Sequence, residues 1–307
     1  PPRSTLFPYT TLFRSKVEAS NKHAYLIMAH NNFDLLSLLL QLIDDARNDI
    51  YIHIDKKVKD FDVKKYENMC TYSKVYFTSE RIDVKWGGSS QVWTELVLYK
   101  EAIKHQYKYY HLISGVDLPL KSQNEIHDFF ERHNHKEFIY YADKTTHWDY
   151  ERLSRYHFPK KWNKKITAKL YGLQNKLKID RIKKYNMEFK KGANWCSLTY
   201  EAVKYLVGKE KFIHQICRAT SCADECYKQY LLCNSDFFKD RIFLNEKGKP
   251  DDLREIDWTN CVNSPHIYTM EDLEKLKNSN KIFARKFDEK VDSEIIRQIV
   301  LEIKSKG

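Results

Sequence analysis

Four short runs rich in β-branched, aromatic and aliphatic residues limit what this chain can fold into. They are His23–Ala29 (HAYLIMA), Ile50–Ile54 (IYIHI), Lys74–Thr78 (KVYFT) and Tyr109–Ile113 (YYHLI). Side chains of this kind suit a pleated, buried strand. Between the first two lies Phe33–Ala46, whose apolar residues recur at helical spacing, with Asp34 in the first turn where negative charge suits the helix dipole. Strand, helix, strand, connection and strand within some sixty residues begin a parallel, helix-covered sheet, so the expected class is α/β.

The fourth run continues into Ser114-Gly115 and stops at Asp117, before Leu118-Pro119 turns the chain. In open α/β sheets, ligands gather outside the carboxyl ends of the strands, which makes Asp117 a candidate site residue. Asp is also common in turns, so capping the turn before Pro119 is the alternative reading.

With 307 residues and no repeat or interdomain linker, one domain over 21–307 is the economical reading. An apolar content of 42% and an aromatic content of 14% are ample for a core. Residues 1–20 match no pattern that follows and lack the apolar stretch of a signal peptide; an artefactual or disordered leader outside the fold is expected there. No run of about 18 apolar residues exists to span a membrane. The net charge of +11 points to an acidic partner: nucleic acid, an anionic lipid surface or a phosphate-bearing small molecule. Lys and Arg are spread along the chain, without the aromatic-basic interleaving of nucleic-acid modules. The odd count of seven cysteines argues for reduced thiols in a cytosol. Cys222 and Cys226 stand at helical spacing, but without a CxxC pair or a His partner they read as small buried hydrophobes rather than zinc ligands.

Further along, Val84–Ser90 (VKWGGSS) offers a flexible glycine pair and an N-cap at Ser89 or Ser90 for a helix from about Gln91 to His105. Ser122 and Glu125 form a capping box for a helix to Arg132, and Lys136–Tyr141 reads as a fifth strand. At about 143–190 the chain turns basic and loses its apolar periodicity, as an insertion at the sheet edge would. Gly192–Leu198 reads as a strand, Thr199–Val207 as a helix stopped by Gly208, and Ala223–Leu232 as another helix. Late strands are expected at Leu253–Trp258 and Lys281–Ala284, and helices at Met270–Leu276 and Ser293–Lys304.

Polar residues therefore fall at several strand ends: His30-Asn31, Asp55, Lys85-Trp86, Ser114 to Asp117, Asn194-Trp195 and Arg285-Lys286. An Arg-Lys pair there can clamp a diphosphate, since both cations neutralise phosphate oxygens. GxGxxG and GxxxxGK[ST] are absent, which disfavours Rossmann dehydrogenases and P-loop enzymes. The one D-x-D, Asp60-Phe61-Asp62, precedes a helix and reads as a surface cap, so a nucleotide diphosphate would need cationic side chains in place of a metal. Glu225, flanked by Ala223 and Cys226, is either a general base in a mostly apolar pocket or a surface acid on a helix dipole.

Taken together, AYLIMAHNN, IYIHIDKK, VKWGGSSQV, YYHLISGVDLPL, GANWCSLT, ADECYKQYLL, REIDW…NSPH and FARKFD resemble, in order and spacing, the core-2/I-branching glycosyltransferases. That family includes β-1,6-N-acetylglucosaminyltransferases and peptide O-xylosyltransferases, and the resemblance covers roughly His23 to Asp288.

The resemblance implies a GT-A-type nucleotide-sugar fold and inverting transfer from a UDP-sugar, without a divalent metal or other cofactor, to a glycan or lipid-linked saccharide. It implies the catalytic base at Glu225, the diphosphate clamp at Arg285 and Lys286, and positions around the uridine at Ala29, His30, Asp55 and Val84, Lys85 and Trp86. Asn194-Trp195 stands where xylosyltransferases carry Asp-Trp, and Ser264 matches a donor-contacting serine. A neutral amide at Asn194 cannot replace the charge of a carboxylate. Asp117 is implied to lie on the floor of the donor site, contacting sugar or fixing the turn, and Asp143, Trp148, Arg152 and Arg155 lie where an acceptor would be read. No counterpart of the relatives' disulfide framework and membrane anchor is expected here. A bacterial, cytoplasmic relative acting at the inner membrane face, with peripheral membrane contact and no nucleic acid, is the expectation. The rival expectation is a non-catalytic basic module that binds nucleic acid or an anionic membrane surface.

Overall fold

A computed structural model describes residues 20–158, 162–259 and 264–306; the expected leader, apart from Ser20, and Cys261 lie outside them. The chain runs β1 (Ser20–Ala29), α1 (Phe33–Leu42), β2 (Asn48–Ile54), α2 (Val63–Glu67), β3 (Lys74–Phe77), α3 (Ser90–Ala102), β4 (Tyr107–Ser114) and β5 (Asp117–Pro119). It continues through α4 (Gln123–Arg132), α5 (His147–Ser154), α6 (Lys164–Lys176), β6 (Cys196–Thr199), α7 (Tyr200–Gly208), α8 (Glu210–Cys217) and α9 (Tyr227–Leu232). β7 (Arg254–Ile256), α10 (Leu273–Lys277), β8 (Phe283–Arg285) and α11 (Ser293–Lys306) complete it.

The main sheet has the order β3-β2-β1-β4-β6, parallel except for β6, which runs antiparallel to β4. It is the expected α/β architecture with a mostly parallel central sheet. All seven residues of β2 are buried, as befits a strand covered on both faces. Alternation sorts the side chains into two cores. Tyr25, Ile27, Ile50, Ile52, Tyr109 and Ile113 face one layer, packed on Leu35, Leu36, Leu39 and Leu40 of α1. Ala24, Leu26, Tyr51, Tyr110 and Leu112 face the other, against α3, α7 and α9. Full burial of each such aliphatic side chain contributes about 1.5–3 kcal/mol relative to exposure.

A second, three-stranded sheet, β5-β8-β7, grows from the carboxyl end of β4 and pairs Asp117 with Arg285. Buried Arg254 joins the two sheets, donating to the Cys196 carbonyl at 2.6 Å and the Ser197 hydroxyl at 2.9 Å.

Several expected elements change. Lys136–Tyr141 is extended but forms only isolated bridges, through Glu137, Phe138 and Tyr141 to three different partners, so it does not join a sheet. The strand expected at Gly192–Leu198 begins only at Cys196, because Gly192 is wedged against the Tyr140 carbonyl, where a Cβ would sit 1.8 Å from the oxygen. The helix expected to stop at Gly208 does so as α7, with the Thr199 hydroxyl capping its start, and α8 follows after Lys209. Ser89 precedes α3 but turns its hydroxyl to the Cys217 carbonyl, 2.5 Å away, rather than capping the helix. The capping box at Ser122 and Glu125 forms as expected, and Asp62 of the D-x-D caps α2 through the Lys65 amide.

On the α1 face three buried histidines adjoin: His23 Nδ1 lies 3.0 Å from His111 Nε2, and His23 stacks on His127 at 4.1 Å. Desolvation holds all three below the ordinary imidazole range, His127 at about 4. His127 Nε2 donates to Asn48 Oδ1 at 2.9 Å. A histidine whose folded pKa is depressed gives stability that is full above about pH 6.5 and lost as pH falls through the folded value. Buried Glu137 and Asp224, pushed up to about 7, act in the opposite sense, so comparison with a variant isolates the effect. His127→Gln keeps a donor for Asn48 and does not titrate. Its stability relative to the parent is expected to rise by about 2 kcal/mol between pH 8 and pH 5, from about 1.4 kcal/mol per pH unit below 6.5. Urea unfolding at both pH values checks this; a constant difference would mean that His127 is not held neutral.

Candidate active site

The carboxyl ends of β1, β2, β4 and β8 lie beside one another. Arg285 stands on β8 and its guanidinium reaches Asp117 Oδ1 at 2.8 Å and the Ser114 hydroxyl. Asp117 is buried, and its other oxygen accepts the Ser114 amide at 2.8 Å while Oδ1 also takes the Ser114 hydroxyl at 2.7 Å. Both carboxylate oxygens are thus committed. Asp117 holds Arg285 and the Ser114 turn. One face of the guanidinium lies over Trp195, 4.6 Å from the ring centroid, a contact of about 0.5–2 kcal/mol depending on its desolvation. Lys286, next along, is half-buried, and desolvation followed by the neighbouring Arg285 charge holds its ammonium below the ordinary lysine value.

The adjoining edge is built from β1, β2 and the loop after β3. Ala29 is buried, its carbonyl accepting the Asp55 amide at 3.0 Å, and a Cβ at Gly115 would meet its Cβ at 3.0 Å. Asp55 is buried and turned to Lys57, accepting its amide at 2.9 Å and its ammonium at 3.2 Å. That ammonium also reaches the Val84 carbonyl at 2.5 Å, so Lys57 ties the two loops together. Lys85 pairs loosely with Asp83 at 3.7 Å, and Trp86 is largely exposed. His30 presents an exposed edge, yet desolvation, Lys57, Arg285 and Lys286 lower its pKa against the pull of Asp55.

Glu225 lies across a tight link from this edge. Gly87, at φ 68°, gives its carbonyl to the Cys222 amide at 2.8 Å, and a Cβ there would meet Cys222 Sγ at 3.3 Å. Three residues on, Glu225 ends a single 3-10 turn, Ala223–Glu225, separate from α9, rather than standing in the first turn of one long helix. Its surroundings also differ from the apolar pocket expected. Glu225 Oε2 accepts from Arg152 Nη1 at 2.5 Å and lies 3.6 Å from the Lys191 ammonium. Its carbonyl takes the Gly192 amide at 2.8 Å, which links it to the segment carrying Asn194 and Trp195.

Of the four residues in the basic insertion, Arg152 alone forms an ion pair with Glu225 among the described residues. Arg155 pairs with Glu151 at 2.8 Å, Asp143 pairs with Lys249, and Trp148 projects from α5 with 78% of its surface exposed. Ser264 is exposed, its hydroxyl 3.5 Å from the Pro265 carbonyl. Asn194 is buried and accepts from the Lys228 ammonium at 2.8 Å. Lys228 in turn pairs with Glu95, and neither side chain is exposed. Sequence reasoning missed Lys57, Lys191 and this Lys228–Glu95 pair. The signal for the last was present, as a lone Glu in VWTELVLY and a lone Lys in YKQYLL, each amid residues of core character.

A family model described as Core-2/I-Branching enzyme matches residues 23–277. The chain belongs to that family. Among curated relatives it is 21% identical over 292 residues to a xylosyltransferase of Ciona intestinalis, covering 90% of this chain and 33% of that protein. It is 26% identical over 121 residues to a Mus musculus N-acetyllactosaminide beta-1,6-N-acetylglucosaminyl-transferase, covering 38% of this chain and 30% of that one. The chain therefore spans about a third of the length of these relatives. Among solved structures it is similar to mouse xyloside xylosyltransferase 1 in its apo form, with a TM-score of 0.29 and 10% identity over 69% of this chain and 81% of that one. No helix among the described residues is long and apolar enough to cross a membrane.

Proposed function

We propose that this member of the Core-2/I-Branching family is an inverting, metal-independent glycosyltransferase with a GT-A-type donor site, moving GlcNAc or xylose from a UDP-sugar to a hydroxyl of a glycan or lipid-linked saccharide. The observation that carries the reading is the fixed cation at the strand ends: Arg285, oriented by Asp117 and stacked on Trp195, with Lys286 beside it. Two adjacent positive groups at the carboxyl edge of a parallel sheet suit a leaving diphosphate. The one acid on β5, Asp117, has both oxygens occupied, so it is poorly suited to ligate a metal.

In this mechanism the acceptor hydroxyl oxygen attacks the anomeric carbon from the face opposite UDP. Glu225 takes the hydroxyl proton, and the bond from the anomeric carbon to the diphosphate oxygen breaks as Arg285 and Lys286 stabilise the negative charge. Arg152 and Lys191 hold the Glu225 carboxylate in place until an acceptor is bound. UDP at a hundred times its Kd is expected to stabilise the fold by about 2.7 kcal/mol, read as a rise in melting temperature. Transfer across a panel of UDP-sugars is expected to survive EDTA. Loss of transfer in EDTA with rescue by Mn²⁺ would overturn the metal-free step. A protein unmoved by UDP but binding DNA or anionic vesicles with steep salt dependence would be the basic module instead.

A further inference from the structure

A cavity of about 990 Å³, lined by none of the strand-end residues above, opens between α3, α8 and the basic insertion. Its volume lies in the range of small-molecule sites, about 300–1,000 Å³. Three lining residues are cationic, Arg181, Lys211 and Arg218, and none is a carboxylate. Aromatic surface supplies the rest of its character. Trp93 and His214 stack at 4.0 Å with 16° between their planes, and Tyr156 is 43% exposed with the Arg181 guanidinium 4.4 Å from its ring centroid.

The cations divide into two kinds. Arg181 is fully used: it donates to the Arg155 carbonyl at 3.2 Å and the Gln215 carbonyl at 3.0 Å while lying on Tyr156. It fixes the wall and lends it positive charge. Lys211 and Arg218 are exposed and have no carboxylate partner among the described residues. The nearby acid, Glu210, is occupied by Lys100 at 2.9 Å, with His214 3.8 Å away. The cavity therefore asks for an occupant with anionic groups and a flat apolar face. Its wall also leads to the candidate base. Ala219 accepts the His157 amide at 2.7 Å, Ser221 donates to the Arg152 carbonyl at 3.3 Å, and Glu225 follows four residues later.

We propose that this cavity binds an anionic saccharide, with the C–H face of a sugar ring on Trp93 or Tyr156 and its acidic group on Lys211 and Arg218. Its identification with part of the acceptor rests on the glycosyltransferase reading; the binding itself does not. The test titrates the intact chain with a hyaluronan tetrasaccharide, with neutral chitotetraose and with an oligothymidylate, by calorimetry at about 0.15 M salt, where loose surface attraction is screened. The hyaluronan fragment is expected to bind at least about tenfold more tightly than chitotetraose, in keeping with one or two charge-assisted hydrogen bonds. The double variant Lys211→Ala/Arg218→Ala, altered only at exposed positions, is expected to lose that preference and to keep its UDP-induced melting shift. Equal affinity for the charged and neutral sugars, an unchanged preference in the double variant, or tighter binding of the oligothymidylate would each overturn the site. A preference that persists in a protein unmoved by UDP would uphold the cavity and remove its link to transfer.

Discussion

Glu225→Gln is expected to bind UDP as the parent does and to lose about 10²–10⁴-fold in transfer rate, the usual cost of removing a positioned general base. The substitution keeps the size of the side chain and an oxygen that can still accept from Arg152, now 2.5 Å away, so the 3-10 turn and its link to Gly192 should stand. What it removes is the ability to take a proton from an attacking hydroxyl. The ion pair makes a companion variant informative. Arg152 stands on α5, where it also approaches Asp149 at 3.6 Å, so its pair with Glu225 ties α5 to the 3-10 turn that carries the proposed base. If it orients the base, Arg152→Lys should give a smaller loss in kcat than Glu225→Gln, because an ammonium keeps the charge without the fixed planar geometry. Steady-state transfer with calorimetric UDP titration separates the two effects. Near-normal turnover of Glu225→Gln would move the base elsewhere.

Much of this site could be read from the sequence, for an identifiable reason. β1, β2 and β4 are apolar on both faces and end at abrupt polar turns, so their carboxyl ends, and with them His30, Asp55 and Asp117, fall where periodicity breaks. The pairing of Asp117 with Arg285 spans 168 residues between strands of three residues each, too short to carry a period, and only the fold reveals it. Lys136–Tyr141 shows the converse. Its pattern is that of a strand, yet Gly192, Ser197 and Ile242 each take a single bridge from it, and no local rule distinguishes that from a ladder. The surroundings of Glu225 differ from the apolar pocket because that reading rests on the flanking Ala223 and Cys226, while Arg152 and Lys191 arrive from elsewhere in the chain.

The buried pair beneath the site should dominate stability. Lys228→Met is expected to cost about 3–5 kcal/mol, since it leaves Glu95 inside the protein without its counter-charge. Glu95 Oε1 already lacks a hydrogen-bond partner, and the remaining support would be the Tyr227 hydroxyl, which donates to Oε2 at 2.7 Å. Burial pushes Glu95 above the ordinary carboxylate range, and Lys228 is the largest influence opposing it. Without Lys228 the folded protein would hold Glu95 protonated at pH values where the unfolded chain ionises it. The native state then binds the extra proton, so stability falls as pH rises above about 4.3 toward the raised folded value. The penalty should therefore be deeper at pH 8 than at pH 5. Glu95→Gln/Lys228→Met, which removes both charges, should recover most of the loss. The same accounting explains Asn194. Its amide accepts from Lys228 without adding a carboxylate to a pocket that already holds Glu95 and Asp224, the latter pushed up to about 7 by burial and by Glu95. Urea unfolding of the single and double variants at both pH values decides the matter. A penalty independent of pH and unrelieved in the double variant would assign the effect to lost packing of the lysine stem rather than to charge.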